Sequence, residues 1–163
     1  MNQRRLAVDL LGLLGWLLVA FAAAAVGAMA SVDAPGFYRQ LVRPEWAPPA
    51  SAFAPVWTAL FALMGVSAWR VWRRPGRKRW ALALFVFQLA VNALWSWLFF
   101  VWHAGALAFV EMLLLLGLIV ATMSAFCRYS RLAALLLAPY LAWVAFATVL
   151  TWFVWRHNPA LLG

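Results

Sequence analysis

Five apolar runs, each of about twenty residues or more, constrain this chain more than any other feature. A helix rises 1.5 Å per residue, so about 20 apolar residues are needed to cross a hydrocarbon core of about 30 Å. The runs fall at 7–30, 53–72, 80–102, 106–127 and 132–155. Lipid offers no partner to backbone N–H and C=O groups, so runs of this length and composition cross as helices that bond internally. The expected fold is an all-α integral membrane protein, a five-transmembrane-helix bundle forming a single domain over 1–163. Composition agrees: 68% of the residues are hydrophobic and 10% charged, against about a quarter charged in a soluble globule. The first run is too long, and too poor in a small-residue cleavage signal, to read as a removed leader. The lone Cys127 excludes an intramolecular disulfide and any paired-Cys metal site.

The connectors fix an orientation. Arg4, Arg5, Arg70, Arg73, Arg74, Arg77, Lys78, Arg79, Arg128 and Arg131 fall on one side of the spans, and Arg39, Arg43 and Arg156 on the other. Positive flanks stay in the cytoplasm during insertion, so the N-terminus is expected inside and the C-terminus outside. The long loop 31–52, His103 and His157 then lie outside. A net charge of +9 would suggest nucleic acid in a soluble protein. Here the charge sits in short connectors, and 73–79 interleaves no aromatic residue to stack on bases. The cluster reads as a topological signal or an anionic-lipid patch, and no nucleic-acid partner is expected.

Polar and aromatic residues inside the spans carry the functional signal, because hydrocarbon gives them nothing to bond. Gln88 and Asn92 are four apart, and Trp95 and Phe99 continue the stripe. That face suits either a flat ligand that is hydrogen-bonded and stacked, or interhelical bonding. Tyr140, Trp143, Ala147 and Leu150 share a face of the last span, with a bend expected at Pro139, which has no N–H for the carbonyl of Leu135. Trp57, Phe61 and Met64 form a third stripe, and each stripe is open to a packing or a ligand reading. In the loop, Pro44, Pro48 and Pro49 favour extended geometry around Tyr38 and Trp46, as an aromatic lid or as an interfacial anchor. Small residues four apart, Ala23 with Gly27 and Ala24 with Ala28, fit close packing within the chain or between two copies. Glu111 is an isolated acid within the fourth span, suited to a cationic group or a proton. His103 and His157 are haem-ligand types, but both lie in or beside connectors. The sequence holds no nucleophile–base pair, metal cluster or phosphate loop.

Tyr38, Arg43-Pro44-Glu45-Trp46-Ala47-Pro48-Pro49, Pro55-Val56-Trp57, Gln88 through Trp95 and Pro139 through Thr148 together resemble the signature of the TspO/MBR family. These are the tryptophan-rich sensory proteins of bacteria, similar to the mitochondrial translocator protein or peripheral benzodiazepine receptor. The resemblance covers roughly residues 10 to 158 in order and spacing. It implies a five-helix bundle, often a homodimer, that binds porphyrins such as protoporphyrin IX and, in some members, sterols and synthetic benzodiazepine or isoquinoline ligands, with a pocket beneath the first long loop. Carried over by position, the pocket is Tyr38, Trp46, Pro48, Trp57, Phe61, Asn92, Trp95, Trp143 and Ala147, with Gln88 or arginines of the outer mouth beside it to meet ligand acids. The implied role is a porphyrin receptor of a bacterial cell membrane that modulates tetrapyrrole metabolism or a stress response; the alternatives are a transporter of porphyrin or sterol-like small molecules, or a light- and oxygen-dependent porphyrin-degrading protein. Trp57 and Trp143 match tryptophans linked in some members to light- and oxygen-dependent porphyrin breakdown, and are the only catalytic assignment the resemblance allows. No metal and no required cofactor are implied, the porphyrin being a ligand. The cholesterol motif of eukaryotic members lacks its central tyrosine here, where Trp152 and Phe153 precede Arg156. Of twelve tryptophans, Trp46, Trp57, Trp95 and Trp143 lie in these motifs, and the other eight read as anchors or packing.

Overall fold

The computed structural model describes residues 3–163, and it contains eight α-helices. These are α1 (Gln3–Met29), α2 (Ala34–Gln40), α3 (Phe53–Trp72), α4 (Arg79–Ser96), α5 (Gly105–Cys127), α6 (Arg131–Leu136), α7 (Ala138–His157) and α8 (Pro159–Leu162). Five segments are long and apolar enough to cross a membrane: Gln3–Met29, Ala50–Trp72, Arg79–Val101, Gly105–Cys127 and Arg131–His157. Each overlaps one of the five apolar runs, so the chain is a five-span helical bundle. The spans close into a ring in which α1 packs on α3 and α4, α4 on α5, α5 on α6 and α7, and α6 back on α3.

Glycine sets how closely α1 approaches its neighbours. A Cβ on Gly65 would lie 3.0 Å from Leu17 Cα and 3.2 Å from the Trp16 carbonyl, and one on Gly27 would lie 3.3 Å from Ser96 Oγ. The small-residue stripe of the first span is thus used at Gly27 against α4, within the chain. Two indoles fasten the same helix by donating to its carbonyls, Trp69 to Asp9 at 2.9 Å and Trp97 to Val26 at 3.2 Å. One apolar cluster, including Met64, Phe85, Leu115, Phe126 and Val144, joins α3, α4, α5 and α7. A second, with Tyr38, Leu41, Leu98, Phe99, Leu150 and Val154, seats the long loop on the other end of the bundle.

The fifth span divides into α6 and α7 at Leu137, more completely than a bend. Pro139 occupies the first turn of α7, where its missing N–H breaks no ladder. Ser130 caps α6 by accepting from the Ala133 N–H at 3.2 Å. The long loop needs a correction. Its stretch Phe37 to Gln40 is not extended but lies in α2, because Pro35 presets a helical φ in the first turn and the Asp33 carbonyl accepts from Gly36 and Phe37 at 3.0 Å. After α2, residues 41–49, with Pro44, Pro48 and Pro49, stay outside helix before a 3-10 turn over Ala50–Ala52. Past α4, Trp97–Val101 form a π-helical turn closed by the Trp102 N–H on the Trp97 carbonyl at 2.9 Å. His103 then takes a positive φ of 51° to redirect the chain into α5.

Candidate ligand site

Three helices and the loop supply the side chains. Along α3, Phe53, Trp57 and Phe61 repeat every four residues and so share a face. Trp57 is half-buried, 5.6 Å from the Phe61 ring and 6.3 Å from Tyr140 of α7. Phe61 is buried. Trp143 lies between Phe53 at 5.9 Å and Phe146 at 5.5 Å, and half-buried Ala147 one turn on packs on the first cluster. On α4, Trp95 stacks on Phe99 with ring centres 5.1 Å apart and planes 13° from parallel.

The amides sit deeper. Gln88 is 1% exposed, and its Oε1 accepts from the Tyr140 hydroxyl at 2.9 Å. Asn92, also buried, lies beside the same hydroxyl. The interhelical reading of the α4 stripe holds for Gln88 Oε1, which bonds α7, while Gln88 Nε2 has no partner. The indole nitrogens of Trp95 and Trp143 are likewise buried without partners. Neither carboxylate oxygen of buried Glu111 in α5 is bonded either. Three donors and one acid among these helices therefore stand unpaired in an apolar interior where each is costly, and Arg70 Nε, at the arginine-rich end of α3, is a fourth buried donor without a partner.

The loop forms a fixed cover. Tyr38 is buried and donates its hydroxyl to the Pro48 carbonyl at 3.0 Å, while the Arg43 guanidinium lies 4.5 Å above its ring. Its ring meets Phe53 edge-on at 5.6 Å, which links the loop to the Trp143 group. Trp46 is 49% exposed and leans on Phe146 and Phe153 at the rim of α7. A second clasp closes the loop: Asn158 Oδ1 accepts from the Val42 N–H at 2.8 Å, and Asn158 Nδ2 donates to the Val42 carbonyl at 3.0 Å.

The structure thus gathers Trp57, Phe61, Gln88, Asn92, Trp143 and Ala147 along the interior faces of α3, α4 and α7. Trp95 is set on the Phe99 side, Tyr38 and Pro48 hold each other in the cover, and Trp46 stays at the edge. Phe53, Phe146 and Asn158 were missed by sequence reasoning. The two phenylalanines carry a signal, at four residues before Trp57 and three after Trp143; Asn158 carries none, its partner being 116 residues away.

A cavity of about 710 Å³ opens beside the cover, between the end of α1, α2 and the π-helical turn, and includes Asp33, Arg39, Gln40 and His103 in its wall. A groove of about 380 Å³ lies at the opposite end between α4 and α5. None of the ten sequence-assigned residues lines either opening. His103 packs on Phe37 at 4.6 Å, and His157 stacks on Phe153 at 3.9 Å. Among the described residues no group of three or more His, Cys, Asp or Glu is placed to hold a metal ion.

The TspO/MBR family profile matches residues 15–156. The chain is 41% identical to the tryptophan-rich protein TspO of Chlorobaculum tepidum over 127 residues, covering 76% of this chain and 80% of that one. It is 40% identical to the human translocator protein over 131 residues, 78% of each chain. It is 37% identical to protein CrtK of Rhodobacter capsulatus over 142 residues, 85% of this chain and 89% of the relative. With Trp57, Gln88, Asn92 and Trp143 of the signature on the facing helices of a five-span ring and a family match over residues 15–156, the chain is a multi-pass membrane protein belonging to the TspO/MBR family.

Proposed function

We propose that this chain is a membrane receptor for porphyrins such as protoporphyrin IX, held among Trp57, Phe61, Gln88, Asn92, Trp95, Trp143 and Ala147 beneath the cover formed by Tyr38, Trp46 and Pro48. The observation that carries this reading is that Gln88 Nε2, Trp95 Nε1 and Trp143 Nε1 are three of the four buried donors without acceptors, the fourth being Arg70 Nε at the arginine-rich end of α3. Each such donor costs about 1–3 kcal/mol while unpaired, and a ligand carboxylate or carbonyl among them recovers that energy. The rings supply the rest, since a flat aromatic ligand stacking on an indole gains about 0.5–1.5 kcal/mol beyond its area. The name translocator protein, borne by the human relative, agrees with a protein that takes up a small molecule within the membrane. Synthetic benzodiazepine or isoquinoline ligands, also flat and carrying carbonyls, suit the same donors.

Entry requires the cover to lift, because Trp143 is packed between Phe53 and Phe146. In this reading the arginine-rich end faces the cytoplasm of a bacterial cell, and the cover faces outside. The test is a titration of protoporphyrin IX into the full chain in detergent, followed by tryptophan quenching, with Trp95→Phe and Trp143→Phe alongside. Saturable quenching is expected, and each variant should weaken affinity about fivefold to tenfold through loss of one donor. Unsaturable quenching would remove the ligand assignment, and unchanged affinity in both variants would remove the site.

A further inference from the structure

The groove between α4 and α5 lies at the end of the bundle opposite the cover, and the ligand reading above makes no use of it. Ala81 and Leu84 form one wall, Ala121 and Ala125 the other, and Trp80 and Arg128 stand at its mouth. It follows α5 for seven residues, roughly 10 Å at the helical rise. Trp80 is 74% exposed, as an indole at head-group depth would be. Tyr129 closes the mouth by donating its hydroxyl to the Arg77 carbonyl at 2.9 Å, which fixes the 73–79 connector beside the groove.

The charge at this mouth is almost unopposed. Ten of the thirteen Lys and Arg lie at this end, and Asp9 is the single acid there. Arg73 takes that acid at 2.8 Å, the one salt bridge among the described residues. Lys78 is turned onto the carbonyls of Trp72 and Arg74 and serves the C-terminus of α3. Arg74, Arg77, Arg79, Arg128 and Arg131 are all exposed and have no acid within reach. An apolar channel at bilayer depth that ends in uncompensated guanidinium groups matches a molecule with a hydrocarbon tail and an anionic head.

We propose that this groove is a binding site for one anionic phospholipid of the leaflet at the arginine-rich end. An acyl chain lies against Ala81, Leu84, Ala121 and Ala125, and the head-group phosphate meets Arg128 with the flanking arginines of the 73–79 connector. Guanidinium forks bind phosphate oxygens in pairs, so the head is held by geometry as well as by charge. The surrounding arginines also raise the local concentration of anionic lipid.

Native mass spectrometry of the full chain, titrated with phosphatidylglycerol or with phosphatidylcholine of the same acyl chains, tests this. The wild type should retain one phosphatidylglycerol in preference to phosphatidylcholine. Arg128→Gln should lower that affinity about fivefold, the value of one juxtamembrane cation. Ala121→Phe keeps every charge and fills the groove from an exposed position, so the fold tolerates it and the retained lipid should be lost. Equal retention of the two lipids, or full retention in Ala121→Phe, would overturn the proposal, because the arginines would then act only as a diffuse patch. Competition by glycerol phosphate as effective as that by the whole lipid would overturn it too, as would a wild-type dimer that Ala121→Phe splits without any change in bound lipid.

Discussion

The hydroxyl of Tyr140 donates to Oε1 of Gln88 at 2.9 Å, in the buried centre of a ring of membrane helices. This bond crosses from α7 to α4, and it leaves the other half of the Gln88 amide without an acceptor. Removing the Tyr140 hydroxyl alone should strand Oε1 and destabilise the bundle by about 1–3 kcal/mol. Replacing both groups, as Gln88→Leu with Tyr140→Phe, should restore most of that loss, since an apolar pair asks for no partner. Thermal unfolding of the wild type and the two variants in one detergent checks this, and a double variant weaker than Tyr140→Phe alone would contradict it.

Trp143→Phe has two expected effects of opposite sign. The indole nitrogen is buried and unbonded in the free protein, so its removal should raise thermal stability. The same change should weaken porphyrin binding, because the donor is offered to the ligand. A variant that loses stability and affinity together would mark Trp143 as a packing residue between Phe53 and Phe146.

Gly65 and Gly15 make a matched pair. A methyl group at Gly65 would press on the backbone of Leu17 and Trp16, so Gly65→Ala should push α1 from α3 and cost about 1–3 kcal/mol. Nothing lies within 4 Å of a Cβ at Gly15, and Gly15→Ala should be neutral or stabilising by up to about 1 kcal/mol. Denaturant titration of the two proteins separates these outcomes, and equal stabilities would mean that the close approach carries no energy.

Asn158 holds the cover shut. Its side chain exchanges two hydrogen bonds with Val42 and donates a third to the Val154 carbonyl at 2.8 Å. Asn158→Ala should free the stretch 42–49 and raise its amide hydrogen exchange while the spans stay protected. If the cover is the gate to the ligand, porphyrin on- and off-rates should both rise in this variant. Unchanged exchange over 42–49 would show that the Tyr38 to Pro48 bond suffices to hold the loop.

Much of this protein was legible in its sequence because lipid is an exacting solvent. Span length and apolar content follow from transfer energies that act on one segment at a time, so five spans could be read without knowing any contact. The shared faces of Trp57 with Phe61 and of Gln88 with Asn92 were legible from helical periodicity, and Pro139 marked a distortion of the last span, though as a bend rather than the division at Leu137. The short helix α2 was not, since its seven residues bury only Tyr38 and give no periodic signal.

The tertiary structure decided which polar atoms of those faces are satisfied and which are left waiting. Periodicity places Gln88, Trp95 and Trp143 on helix faces, yet only the ring order of α3, α4 and α7 gives the Gln88 carbonyl to Tyr140 and leaves three donors unbonded. It likewise decided that Tyr38 serves the loop through Pro48, that Trp46 sits at a rim, and that Asn158 fastens a loop 116 residues away. Spans are written by the free energy of moving a segment into hydrocarbon, a property local to that segment. Hydrogen bonds between distant segments depend on directions and distances within about 3.5 Å, and these exist only after the helices have packed.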